Sequence, residues 1–371
     1  MRQILMIALT LFISGFSNVF ATEYQVPATP GSFQTLLDSG SLKGGDRLIL
    51  APGNHGKIIM SGLVFENPVT ITAGGDGAAN LDQLVIESSS GIQIRKLSII
   101  PKTLVPLGEF LVSVQDGTGI HLSRLIVASA VNSDAWSAPQ WRRNARNGIF
   151  LSGQDISLTD SYVFNVRHAV SAFADGARIE RNTIETFGGD GIRGIGDNSR
   201  YIENTIDTCV AIDDNHDDGF QSWSLDSQGR PGKGIVRNVR VERNRIVNGD
   251  HRLTCQLQGI GLFDGVYEDW VIKGNTINVD HWHGITVMGA RNVNVSDNFV
   301  TDFRPGKPGA PSITVMAHKD GRPAENSSVE RNITQPWLGS EGSPFNRDHP
   351  GVALSGNRVL SNSHGGNGTA N

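Results

Sequence analysis

Short apolar–polar alternations recur along this chain, each opened by a polar residue and a Gly. The opening phrase reads Asn147-Gly148-Ile149, His168-Ala169-Val170 (once with Ala), Asp190-Gly191-Ile192, Asp218-Gly219-Phe220, Gln258-Gly259-Ile260 and His283-Gly284-Ile285. A second phrase sets an Asn among polar residues before an apolar one, at Asn182, Asn204, Asn244, Asn275, Asn298 and Asn332. Alternation with period two predicts strands, and units recurring at this interval predict a solenoid, here an all-β, single-stranded parallel β-helix. Rungs stacked roughly 4.8 Å apart would place the six residues before Gly in one column. The recurrent Asn suits a turn at which stacked amides cap one another and the backbone.

The ends differ from the middle. Ser32-Phe33-Gln34-Thr35-Leu36-Leu37 predicts a short amphipathic helix with Ser32 as N-cap, covering the open end of the solenoid. Residues 1–21 have the features of a secretory signal: Arg2, an apolar stretch over 4–13 and Val19-Phe20-Ala21. That stretch is too short to span a bilayer comfortably. The expectation is an exported protein, periplasmic or secreted, with no stable membrane insertion once the signal is removed. The β-helix domain would occupy 22–360, and the Ser/Gly/Asn-rich residues 361–371 would form a flexible tail. The 44 Gly among 371 residues suit many tight turns, and a net charge of −5 without a basic run argues against nucleic acid. Two cysteines, Cys209 and Cys255, predict an intrachain disulfide in an exported chain.

Interval lengths locate the candidate site. From the Asn phrase to the next Gly phrase the chain takes 9 residues at Asn182→Gly191 and at Asn275→Gly284, but 15 at Asn204→Gly219 and at Asn244→Gly259. The insertions crowd around the Asp218 rung. Another long connection, 127–146, holds Trp136, Trp141, Arg142, Arg143 and Arg146. Alternation points Ile192 inward and Arg193 outward, in line with Gln221, Gly261 and Thr286, with Trp223 and Phe263 two residues further on. The densest segment is Asp213-Asp214-Asn215-His216-Asp217-Asp218, whose self-repulsion suits a cation or a substrate. Oxygen-rich acidic loops suit Ca²⁺, with Asp190, Asp217 and Asp218 as ligands, whereas Asp213 and Asp214 read as a solvated turn. His283, His168 and His216 are candidate acid–base groups because imidazole titrates near neutral pH. His281, two residues before His283, would face the same side.

These phrases resemble the right-handed parallel β-helix superfamily of polysaccharide lyases, C5-epimerases and polygalacturonase-type hydrolases. Asp190-Gly191, Asp217-Asp218-Gly219 and His283-Gly284 are similar to the Asp, Asp-Asp, His-Gly series of polygalacturonases, with an extra Gln258-Gly259 rung intervening. His216-Asp217-Asp218-Gly219 resembles the calcium segment of some pectate lyases and, loosely, the catalytic His-Asp of alginate epimerases, without its Pro. The resemblance implies a carbohydrate-active enzyme with a polysaccharide as partner. The leading expectation is β-elimination on a uronate polymer, with His216 or His283 as base. Arg193, Arg167 behind it, or Ca²⁺ would neutralise the uronate carboxylate. Inverting hydrolysis through Asp190 with Asp217 or Asp218, C5-epimerisation and noncatalytic glycan binding are the alternatives. Arg146, Arg167, His168, Gln221, Trp223, Gln258, Trp141 and His281 are the expected substrate-binding residues.

Overall fold

The structure is a computed structural model, and it describes residues 21–75, 77–304, 310–336, 343–345 and 349–360. The expected signal, up to Phe20, and the expected tail lie outside the described residues. Every strand pairing within the stacked sheets is parallel, and the strands repeat on three faces. One face carries Asn147–Gln154, Val170–Ala172, Ile192–Gly194, Asp218–Trp223, Gln258–Asp264, His283–Met288 and Ser312–Met316. A second carries Ser157–Thr159, Arg178–Glu180, Arg200–Ile202, Arg240–Glu242 and Val271–Lys273, and a third Tyr162–Val166, Thr183–Phe187, Thr205–Cys209 and Arg245–Val247. The long strand Phe110–Ser123 pairs into the first two faces at once.

The core is a stack of identical positions. Ile149, Val170, Ile192, Phe220, Ile260 and Ile285 follow one another in register and are all buried. Each turn of the coil thus hides its apolar residues against the turns above and below, which drives the stacking. The Asn phrase closes the corner between the second and third faces. Asn182, Asn204, Asn244, Asn275, Asn298, Asn332 and Asn357 form an unbroken ladder in which backbone N–H and side-chain Nδ2 of one donate to Oδ1 of the next, at 2.9–3.0 Å.

The short helix spans Ser32–Asp38 and buries Phe33 at the start of the solenoid. Its N-cap is Gly31 rather than Ser32, because the chain enters in a left-handed conformation with φ of 86°. The connection expected over 127–146 contains a second helix, Ala138–Asn144, opened by a Ser137–Gln140 capping box.

Candidate functional site

The register confirms the polar column: Asp218 pairs with Gln258, and the other members lie two residues before core residues that are themselves paired. Gly holds the next position for a steric reason. The chain turns a corner there, and a Cβ on Gly191 would lie 2.6 Å from Ile206 Cγ2; on Gly219 it would lie 2.3 Å from Ile246 Cγ2. The Gly line therefore faces the packed third face, and the residue before it stands at the rim of the first. Arg193, Gln221, Gly261 and Thr286 also align as expected.

Asp190 is the most constrained group in the column. Its Oδ1 accepts the Asp218 N–H at 3.1 Å, and its Oδ2 accepts from Arg193 Nε at 2.6 Å. His168 Nδ1 lies 3.3 Å from the same Oδ2, and Arg193 Nη2 lies 3.1 Å from His168 Nε2. The Asp190 backbone N–H also donates to His168 Nδ1 at 3.1 Å, so both ring nitrogens are engaged within this cluster. Burial pushes the Asp190 carboxyl up, but the His168 hydrogen bond and the Arg193 charge outweigh it and hold it below the usual range. Burial, with the charge of Arg193, lowers His168 despite its hydrogen bond to Asp190. Arg193 is thus committed to Asp190 and does not stand free to neutralise a substrate, and His168 is a partner within this cluster.

The neighbouring carboxylates behave oppositely. Burial, reinforced by the negative charges of Asp190 and Asp213, pushes Asp217 up to about 8. Asp218 is raised well above its ordinary value by burial and by the charges of Asp190 and Asp217. Gln221 Nε2 donates to its Oδ2 at 3.0 Å, while its Oδ1 has no hydrogen-bond partner among the described residues. Gln258 Oε1, one rung on, is buried and likewise without a partner among them.

Two adjoining cavities open here. One of about 470 Å³ is lined by Asp218, Gln221, Gln258, Phe263, Trp282 and Lys319 among others. The other, about 400 Å³, is lined by residues of 211–217 together with Thr254 and Cys255. His216, Gln256, Gln258 and His281 line both. His216 is exposed at this shared boundary. His283 is held differently: Trp282 Nε1 donates to its Nε2 at 2.8 Å, so its Nδ1 proton goes to Thr286 Oγ1 at 2.8 Å. Burial, with the charge of His216, lowers His283 to about 4, and burial with the charges of His283 and His216 lowers His281 to about 4. The two rings stack at 5.1 Å. With both nitrogens engaged, His283 is a fixed wall and not a free base.

Several expected contact residues serve the scaffold. Trp141 is fully buried against Val210 and Ile212, with Trp136 edge-on at 5.2 Å. Buried Arg146 donates to Val105 O and Arg143 O. These two tie the Ala138–Asn144 helix to the solenoid instead of facing a ligand. Arg167 pairs with Asp213 at 2.7 Å, anchoring the acidic turn. Trp223 packs edge-on against Phe173 at 5.5 Å. Phe263 leaves the expected line because a bulge pairs Trp223 with Asp264; its ring meets His283 at 4.9 Å. Cys209 and Cys255 form the expected disulfide, Cα–Cα 5.4 Å, between the 210–217 and 249–255 connections. Lys319 and Gln256 line the cavities without having been singled out: Lys319 pairs with Asp264 across rungs, a contact invisible in sequence.

The carboxylates do not fit the expected Ca²⁺ set. Among the described residues, the one group of three possible ligands within 4.8 Å of one another is Cys209, Asp217 and Cys255, and its sulfurs are joined to each other. Asp190 is occupied by Arg193 and the Asp218 amide, and Gln221 Nε2 donates to Asp218 Oδ2.

A family model described as right handed beta helix region matches residues 147–332. Among solved structures, the chain is similar to the mannuronan C-5 epimerase AlgE6 A-module of Azotobacter vinelandii. The TM-score is 0.56 at 13% identity, covering 89% of this chain and 94% of that one. It is similar to a mannuronic acid specific polysaccharide family 6 lyase from human gut microbiota, with TM-score 0.53 at 13% identity and coverage of 91% and 83%. It is also similar to the Dettilon tailspike protein, with TM-score 0.56 at 13% identity and coverage of 90% and 70%. At these identities the likeness is one of fold. No curated protein matches the sequence.

Proposed function

The chain belongs to the right-handed β-helix family, and on that premise we propose that it is a carbohydrate-active enzyme cleaving a uronate-containing polysaccharide by β-elimination. The observation that carries the reading is the buried Asp218, with one oxygen unpartnered among the described residues, beside a cavity that it shares with His216, His281 and Gln258. β-Elimination removes the proton at C5 of a uronate and expels the C4 oxygen, and it needs the uronate carboxylate neutralised. A carboxylic acid kept neutral by burial is a hydrogen-bond donor suited to that task. Asp218 takes this role, with Gln258 beside it. His216, exposed at the boundary of both cavities, is the base. Asp217, whose carboxyl burial pushes up to about 8, is assigned the protonation of the departing oxygen.

Inverting hydrolysis requires an ionised carboxylate that can activate water. Asp190 is the ionised member here, but both its oxygens already accept protein hydrogen bonds. This disfavours the hydrolase reading. Export, with action outside the cytoplasm, is part of the proposal: the disulfide suits an oxidising compartment, and no described helix is long and apolar enough to cross a membrane.

Incubation with polymannuronate, polygalacturonate and their carboxyl-reduced forms tests the reading. Ultraviolet-absorbing unsaturated uronates are expected from an acidic polymer and not from its reduced form. New reducing ends without that absorbance would indicate hydrolysis, and an altered C5 configuration without cleavage would indicate epimerisation. His216→Ala is expected to lower the rate by roughly 100-fold or more, and His283→Ala by far less. Full activity in His216→Ala removes it as base.

A further inference from the structure

Outside the cavities, a row of aromatic rings runs along the outer surface of the site-bearing face. Phe110, Phe150, Phe173 and Trp223 are each partly exposed, with successive centroids 5.2, 5.3 and 5.5 Å apart. Nothing in the proposed chemistry uses the three phenylalanines. Ser113, Phe150, Ser171, Arg193 and Gln221 succeed one another in register along the same line. Ser113 and Ser171 are buried, so the rings dominate the exposed part of this line, and none of these residues is acidic. The row ends at the site: the Arg193 guanidinium lies 5.8 Å from the Trp223 ring centroid and binds Asp190.

We propose that this row is a binding track for the non-reacting sugars of an extended polysaccharide, running from the cavities toward the N-terminal rungs. Pyranose rings carry apolar CH faces, the surface that partly exposed aromatic rings recognise. The centroid spacings of 5.2, 5.3 and 5.5 Å are close to the advance per residue of an extended 1,4-linked chain, with Phe173 and Trp223 two rungs apart. The ligand accordingly lies along the solenoid axis. The absence of carboxylates among the named residues of the line suits an acidic polymer. The inference rests on the polysaccharide reading, though not on the type of reaction.

Binding to the full chain carrying His216→Ala, which prevents turnover, separates the two. Calorimetry would compare trimers with long fragments of polymannuronate and polygalacturonate. Phe150→Ala and Phe173→Ala are expected to weaken long-fragment binding roughly three- to tenfold, leave trimer binding unchanged, and recover in Phe150→Trp. Equal loss for long and short ligands, or no loss for either, overturns the track while leaving the polysaccharide reading intact. Failure of the chain to bind any polysaccharide overturns both. A concentration-dependent dimer abolished by Phe150→Ala would assign the face to a second copy and also overturn the track. Melting curves of Phe150→Tyr and Phe150→Ala separate lost folding from lost binding.

Discussion

At the residue scale, neighbouring carboxyl groups are shifted in opposite directions. Asp190 is lowered because His168 and Arg193 outweigh its burial; Asp217 and Asp218 are raised because burial and the neighbouring negative charges outweigh the lowering effects of Asn215, Arg167, Arg193 and Gln221. Asp217 yields a pH prediction whose sign is fixed. Its native pKa, about 8, exceeds its ordinary 3.8. Between those values the native state holds a proton that the unfolded chain has released, so stability falls as pH rises through that window. Asp217→Asn is expected to flatten this part of the melting-temperature profile, and wild-type turnover should decline above about pH 8. An unchanged profile in Asp217→Asn removes Asp217 as its source. Chelation tests the carboxylates from another side: EDTA is expected to leave activity and melting temperature unchanged, because Asp190 is already neutralised by Arg193. A metal-restorable loss on chelation would count against this account of the site.

At the scale of the element, each coil is closed by two devices that the repeat made visible. The Asn ladder is one. In Asn244→Ala the Asn204 amide and the Tyr201 carbonyl lose buried partners, a change expected to cost about 3 kcal/mol, read from chemical denaturation. The Gly corner is the other. Gly219→Ala drives a Cβ into Ile246, and overpacking of this kind costs about 1–3 kcal/mol; loss of activity beyond the loss of folded protein would show Asp218 displaced as well. Both devices were legible because they recur over successive rungs and depend on neighbours one repeat away. Trp141, Arg146 and Phe263 broke the pattern for the opposite reason. The first two act inside a connection whose contacts lie 41 residues off in Val105 and across the chain in Ile212. Phe263 follows a bulge, whose single extra residue reverses which side chain meets which neighbour.

For the whole molecule, the disulfide joins two insertions that the solenoid would otherwise leave to their own contacts. Cys209 and Cys255 are separated by 46 residues, and Cys209→Ser is expected to cost about 2–4 kcal/mol. Because Asp213, Asp217 and Cys255 share a cavity wall, activity should fall at temperatures where the rungs remain folded, a comparison made by circular dichroism beside turnover. Parallel loss of both signals would assign the bridge to the solenoid as a whole. The sequence by itself determined the coil, its register, the polar column and the face on which insertions gather, since stacked repeats need only local alternation and nearest-neighbour packing. Only the tertiary structure decided what each member of the column does. Arg193 was drawn to Asp190 and away from a substrate, His283 was fixed between Trp282 and Thr286, and burial raised Asp218 above its ordinary value. Protonation and hydrogen-bond commitment depend on burial and on charges brought together from separate rungs, and residue spacing along the chain does not encode those quantities.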